Sequence, residues 1–238
     1  MKLSVVIPAY NEGQRIVHTL EDIGQYLQQQ SYEYEILVVS DGSKDNTAEV
    51  VTNLETKIPG LRLIDNKHNQ GKGGVVRQGM LEATGDVRVF MDADNSTRIT
   101  EIEKFLPYFE QGYDLVIGSR RISGSEIAVH QPWIRDLQGT IFRFIVHTLV
   151  PVHVTDTQCG FKAFSRNATE MIFPKQLIMR WAFDVELLAL ARKMNFKIQE
   201  LPIRWVNDEA TNVTLSGKIK MLIEVMQIRL NLWTGKYK

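Results

Sequence analysis

In the stretch FMDADNST, residues 90–97, two carboxylates stand two positions apart directly after an apolar run. If the backbone is still extended there, residues two apart point to the same side, so Asp92 and Asp94 would face one site. Two hard oxygen ligands on one side suit Mg²⁺ or Mn²⁺, with water and diphosphate oxygens filling the remaining positions. Such an ion would neutralise a nucleoside diphosphate as it leaves. The same letters also fit a plain turn, in which an aspartate, Asn95, Ser96 and Thr97 cap the helix that follows. Residue types alone leave both readings open.

Three further segments carry candidate chemistry. VVSDGSKDNT, residues 38–47, puts Asp41 at the tip of a strand with Gly42 for a tight turn, where the acid could accept hydrogen bonds from a base or a ribose. Asn46 with Glu49 has the spacing of a capping box, a structural role that leaves Asp41 unexplained. NQGKGGVVRQGM, residues 69–80, opens a helix but lacks the ends of a Walker A loop and of a dinucleotide fingerprint. A helix-start turn accounts for it, and Lys72 beside backbone amides could also stand near an anion. Arg120 and Arg121 follow a strand in GSRR, and Arg135 begins the next helix. A guanidinium matches phosphate oxygens in a bidentate way, so Arg120 and Arg135 read as phosphate clamps, Arg121 and Arg143 as solvated surface. The five histidines show no metal-ligand spacing, and no Ser/His/Asp or Cys/His order suggests a nucleophilic triad. Cys159 reads as a small buried residue rather than a nucleophile.

Short apolar runs rich in Val, Ile and Leu alternate with helix-period segments and would position these residues. Strands are expected at Leu3–Ile7, Glu35–Val39, Leu61–Ile64, Val87–Met91 and Asp114–Gly118. Helices are expected at Gly13–Gln29, Asn46–Lys57, Gly71–Ala83 and Thr100–Glu110. That order predicts an α/β fold with a Rossmann-like, mostly parallel central sheet and helices on both faces. Ligands then bind outside the carboxyl ends of the strands, where Asp41, Asp92 and Arg120 fall. Beyond Gly118 we expect a loop over 121–131, a helix at Trp133–Leu149, a strand at Phe161–Phe164, a helix at Asp184–Met194 and a last helix at Leu215–Trp233. No linker or repeat divides the chain. It reads as one domain in three parts, a first half (1–118) that carries the loaded strand ends, a second half (119–214) and a C-terminal helix (215–238). That helix carries more apolar surface than a surface helix needs, which suits a membrane interface, packing on the body of the protein, or a second copy in a homodimer.

Composition narrows the classes. With 28 Lys plus Arg against 28 Asp plus Glu there is no global basic field for nucleic acid, so any anion site must be local. One cysteine excludes an internal disulfide and points to a reducing, cytoplasmic setting. MKLSVVIPAYNE lacks the h-region of a signal peptide, and residues 141–154 are too interrupted to span a bilayer, so neither a leader nor a spanning segment is expected.

Taken in order, VVIPAYNE (5–12), VSDGSKDNT (39–47), NQGKGG (69–74), FMDADNST (90–97), GSR (118–120) and DTQCGFKAFSR (156–166) resemble glycosyltransferase family 2. RWAFDVELLALA (180–191) and IRLNLWTGKY (228–237) are similar to its dolichyl-phosphate β-glucosyltransferases and related polyprenyl-phosphate hexosyltransferases. The resemblance implies a GT-A fold and an inverting, metal-dependent transfer of a hexose from a nucleotide sugar, UDP-glucose first among donors, to a polyprenyl phosphate. GDP-mannose as donor or a soluble saccharide as acceptor are the alternatives within the family. By the same likeness Pro8, Tyr10, Glu12, Asp41, Lys72, Asp92 and Ala93 would surround the nucleotide. Asp92 and Asp94 would hold Mg²⁺ or Mn²⁺, Arg120 and Arg135 would face the acceptor phosphate, and Asp156 and Gln158 would line the donor sugar or the acceptor side. The enzyme is expected on the cytoplasmic side of a membrane, as a peripheral protein. A sugar-phosphate nucleotidyltransferase would carry a Gly-Thr-Arg loop after its first strand, where this chain reads PAYNE, and a non-catalytic binding module would be expected to lose one aspartate of the pair.

Overall fold

Eight consecutive residues with alternating faces, KLSVVIPA, form the first strand, β1 (Lys2–Ala9), which lies inside the sheet and is buried along nearly its whole length. The computed structural model describes residues 1–127, 133–206 and 215–237, and only the backbone of residues 133–138 and of Leu215. Around β1 stand β2 (Glu33–Asp41), β3 (Leu61–Asn66), β4 (Val87–Phe90), β5 (Leu115–Ser119), β7 (Lys162–Ser165) and β8 (Ile198–Pro202), after a short β6 (Glu126–Ile127). The seven long strands run in the order β3-β2-β1-β4-β7-β5-β8. All pairs are parallel except those of β7, which is antiparallel to both β4 and β5. β6 pairs in parallel with β9 (Arg204–Trp205) as a separate two-stranded sheet.

The strand period of two sends alternate side chains to opposite layers. Val6, Leu37 and Val39 face a core shared with α3 (Lys72–Glu82), α5 (Trp133–Leu149), α6 (Arg166–Ile172), α7 (Phe183–Lys193) and α8 (Leu215–Trp233). Val5, Ile7, Ile36 and Val38 face the other core, with α1 (Ile16–Leu27), α2 (Thr47–Glu55) and α4 (Leu106–Glu110). The expected α/β fold, mostly parallel with helices on both faces, is the one observed, and α5 and α8 have the boundaries read from the sequence.

Local expectations differ at three places. Thr100–Glu110 is not one helix: a 3₁₀ turn at Ile99–Lys104 precedes α4. Pro107 lacks an N–H and its ring would clash with the carbonyl four residues back, so a single α-helix cannot run through it. The capping box at Asn46 is absent, because its side chain makes no cap hydrogen bond. Asp45 does that work: its carboxylate accepts from the Thr47 N–H at 3.0 Å and the Gly13 N–H at 3.1 Å, ties that hold its pKa low despite some desolvation. β6, β8, β9 and α6 were not foreseen; they are short or half-buried and give little periodic signal. Among the described residues no helix is long and apolar enough to cross a membrane.

Candidate active site

The carboxyl ends of β1, β2, β4 and β5 open on one edge of the sheet and deliver Tyr10, Asp41, Asp92 and Arg120 there. β7 runs the other way, with Lys162 opposite both Phe90 and Ile117. Its amino end therefore lies on that same edge, and the segment leading into it brings Asp156, Gln158 and Gly160. An antiparallel strand inside a parallel sheet thus supplies the second half of the site.

Outside β4, three carboxylates meet two ammonium groups. Lys72, the first residue of α3, puts Nζ 2.5 Å from Oδ1 of Asp92. Lys162 is fully buried, donates to the Cys159 carbonyl and to Asp184 Oδ1 at 2.5 Å, and stands 5.6 Å from the Phe90 ring. Asp184 is supplied by the first turn of α7. Burial pushes the Asp184 carboxyl up, against the pull of Lys162 and Lys72. Burial works against the charge of Lys72, but Asp92, Asp184 and Asp94 outweigh it and hold its pKa above the ordinary lysine range. Asp94 is raised by burial and then by Asp92, so those two carboxylates sense each other. Lysine paired with Asp92 and lysine paired with Asp184 leave Asp94 without a cation of its own; its Oδ1 accepts the Ser96 N–H at 2.9 Å.

The strand argument for the aspartate pair does not hold, since β4 ends at Phe90 and residues 93–94 already form a turn, followed by Asn95 at φ +56°. Turn geometry, not strand period, keeps Asp94 near Asp92. The close approach that shapes the pair comes from across the sheet: a Cβ on Gly160 would lie 2.0 Å from Asp92 Oδ2, so only glycine admits that carboxylate. Buried Asn95 Oδ1 and Thr157 Oγ1, on the two loops of this edge, find no hydrogen-bond partner among the described residues. Among the described residues no group of three or more His, Cys, Asp and Glu forms a closed metal cage. A divalent ion that takes one or two carboxylates and completes its shell from substrate phosphates needs none, so the incompletely neutralised pair fits Mg²⁺ or Mn²⁺.

At the tip of β5, on the far side of β7, Arg120 and Asp156 pair with each other. Arg120 Nε and Nη2 donate to Asp156 at 2.7 and 2.9 Å, and the Arg120 backbone N–H adds a third bond at 3.1 Å. Burial alone would raise Asp156; Arg120 more than compensates and pulls it down to about 2. Glu200 accepts the N–H groups of Thr155 and Asp156, and the Trp205 ring lies 5.4 Å from the Arg120 guanidinium. Three of the five guanidinium N–H donors remain outside the bidentate pair. Gln158 is turned to α8, its side-chain amide 2.9 Å from Met221 Sδ. Arg135 falls in the first turn of α5, where its side chain lies outside the described residues.

Asp41 proves to be a latch. Its buried carboxylate accepts the N–H groups of Gln70 at 2.5 Å and Gly71 at 3.0 Å, the latter residue at φ +91°. Burial raises its pKa in spite of these bonds. Gly73 and Gly74 give their N–H groups to the carbonyls of Arg180 and Met179. The amides of the glycine-rich loop are thus taken by the protein itself, and the anion near Lys72 is Asp92. Pro8 is buried in β1, Tyr10 is exposed just beyond it, Glu12 pairs with Arg15 at 2.7 Å, and the Ala93 carbonyl accepts from Thr19. Lys162 and Asp184 escaped the sequence reading. The one available signal was a charge inside each of two otherwise apolar runs, FKAF and AFDVELL.

The sequence model for glycosyl transferase family 2 matches residues 4–173. The chain belongs to glycosyltransferase family 2. The matched span holds Lys72, Asp92, Asp94, Arg120, Asp156 and Lys162, while Asp184, Glu200 and Trp205 lie past it. A dolichyl-phosphate β-glucosyltransferase of Trichomonas vaginalis is 40% identical over 98% of this chain and 73% of its own length. The human protein of that name is 33% identical over 100% and 78%. Both alignments continue through α7 and α8. Glucosyl-3-phosphoglycerate synthase of Mycobacterium tuberculosis, solved with Mn²⁺ and UDP-glucose, superposes with a TM-score of 0.70 at 19% identity, over 97% of this chain and 78% of that one. The fold of this family 2 transferase is therefore GT-A.

Proposed function

We propose that this transferase moves glucose from UDP-glucose to the phosphate of a polyprenyl lipid such as dolichyl phosphate, with inversion at the anomeric carbon. The observation that carries the reading is the surplus carboxylate beside Asp92 and Lys72 at the carboxyl edge, in a chain whose relatives along their whole match are dolichyl-phosphate β-glucosyltransferases. Asp92 and Asp94 would hold Mg²⁺ or Mn²⁺, which when bound supplies charge neutralisation for the departing nucleoside diphosphate. Pro8, Tyr10, Asp41 and Ala93 would border the nucleotide, and Glu12 would act through Arg15 and Thr47 to fix the β1 loop.

The acceptor phosphate is already an anion at neutral pH, so its oxygen can attack without a strong general base. Arg120, locked in orientation by Asp156, would use its remaining N–H donors to place that phosphate, assisted by Arg135. A double displacement through the protein finds no support in the thiol at this edge: Cys159 is buried and its pKa is pushed up to about 12, first by burial and then by Asp156. In a single displacement the phosphate oxygen bonds to the anomeric carbon as the bond to the nucleoside diphosphate breaks, which inverts configuration.

The test is transfer of labelled sugar from UDP-glucose or GDP-mannose to a short polyprenyl phosphate or a soluble saccharide, followed by lipid extraction, with and without a chelator. Label in the lipid phase from UDP-glucose, lost on chelation, is the expected result. Label that follows GDP-mannose or the saccharide would reassign the substrates, and transfer that survives chelation would remove the metal role of Asp92 and Asp94.

A further inference from the structure

One helix face has no protein partner among the described residues. Along α8, Ile219, Ile223, Met226, Leu230 and Trp233 are exposed by 49 to 81%. Their spacing of four, three, four and three places them in one stripe, while Met221, Val225 and Ile228 on the opposite side are buried in the core. α5 packs beside α8 and adds exposed Ile141 (53%) and Phe144 (72%). Seven large apolar side chains on two adjacent helices exceed the scatter of single exposed hydrophobics normal for a soluble surface.

Charge decides what covers them. Between residues 215 and 237 there are four cations, Lys218, Lys220, Arg229 and Lys236, and one acid, Glu224. Glu224 is turned inward, accepting the N–H groups of Trp181 and Ala182 ahead of α7. On the helix, Lys220 flanks one side of the stripe, and Arg229 and Lys218 the other. At its far end an open groove of about 510 Å³ is lined by Arg192, Lys193, Arg229 and Trp233. A second copy docked stripe to stripe would bring cationic flanks against cationic flanks, and the stripe spans only about two heptads, fewer than a coiled coil needs. An anionic lipid surface complements both the stripe and its rim.

We infer that the outer face of α8, with Ile141 and Phe144 of α5, is a membrane-docking surface that lies in the interface of a bilayer containing anionic lipid. The inner face of the same helix touches the site through Met221 against Gln158, and through Glu224 at the start of α7, the helix that carries Asp184. Docking would therefore hold the catalytic edge roughly one helix diameter, about 10 Å, from the bilayer surface. This inference shares with the proposed function the premise of a lipid acceptor, but its test uses vesicles that contain none.

The test is flotation of the full chain with vesicles of phosphatidylcholine alone or of phosphatidylcholine mixed with phosphatidylglycerol. Wild type should float with the anionic vesicles, and Ile223→Ser with Leu230→Ser should lower the bound fraction about tenfold. Lys220→Glu with Arg229→Glu should remove the preference for anionic lipid and the sensitivity of binding to salt. Because all four positions are exposed, circular dichroism and transfer to a water-soluble short-chain acceptor should match wild type. Wild type that stays in the soluble fraction, or a serine variant that floats equally well, would overturn the inference. So would a dimer in sedimentation that the serine variant dissolves and vesicles leave intact. Vesicle binding without any transfer would instead count against the substrate proposal alone.

Discussion

The tips of β4 and β5 flank the amino end of β7 on one edge of the sheet and treat charge in opposite ways. At β5 one guanidinium meets one carboxylate in a bidentate pair, both partly or wholly buried, and the two charges of the pair cancel. At β4 Asp92, Asp94 and Asp184 share Lys72 and Lys162, and one negative charge is left over. A closed pair fixes geometry, since removing either member strands a buried charge. An open cluster keeps electrostatic free energy in reserve for a ligand that brings the missing positive charge.

Four measurements would break or sharpen that contrast. The largest effect is expected at the open tip: Asp94→Ala should lower kcat by about a thousandfold at saturating donor while costing only about 1 kcal/mol of stability, because beyond the surplus charge it removes one turn hydrogen bond, from the Ser96 N–H. Retained turnover would mean that the surplus charge serves no ligand. At the closed tip the ranking reverses. Asp156→Asn should destabilise the fold by about 3 kcal/mol in urea unfolding, because Arg120 would be left without its partner. An unchanged midpoint would show the pair to be dispensable.

Third in size is Gly160→Ala. The added Cβ would meet Asp92 Oδ2 at 2.0 Å, so the carboxylate must move. A displacement of that order should cost about a hundredfold in kcat with the KM for the acceptor nearly constant; wild-type turnover would show that the position of Asp92 is not demanding. The smallest effect concerns pH. Asp156 has a folded pKa of about 2 against an ordinary 3.8, so its contribution is full above pH 3.8 and is lost as pH falls through about 2. It amounts to about 2 kcal/mol. Equilibrium unfolding from pH 5 to pH 2 should show this acid-side loss in wild type, and Asp156→Asn should lack it. The opposite sign, stability gained on acidification, would be incompatible with the pair.

Much of this molecule is legible along the chain. The runs SVVIPA, ILVV, VRVF and LVIG call for buried strands because Val and Ile fill a pleated surface on both faces, and the segments between them repeat at the helical period. Asp92, Asp94 and Arg120 stand out because a charge just after such a run must emerge at the sheet edge, and Lys72 because it opens a helix within a glycine-rich turn. Other readings needed the tertiary structure. Asp41 stands at a strand tip in the sequence, and only the fold shows that its carboxylate also fastens the Gln70–Gly71 turn, a partner about thirty residues away. Lys162 and Asp184 look like isolated charges in apolar runs and are a buried pair 22 residues apart.

By itself the sequence determined which residues seek burial, where strands and helices lie, and that α8 is apolar on more than one face. Tertiary structure decided the direction of β7, and with it the arrival of Asp156, Gly160 and Lys162 at the edge where Asp92 waits. It also decided which face of α8 the core uses and which face is left to the outside. The reason is that periodicity and propensity are local, set by backbone geometry within a few residues. Strand direction and ion pairing are chosen among competing long-range arrangements by packing of the whole core against the entropy of closing the loops between them.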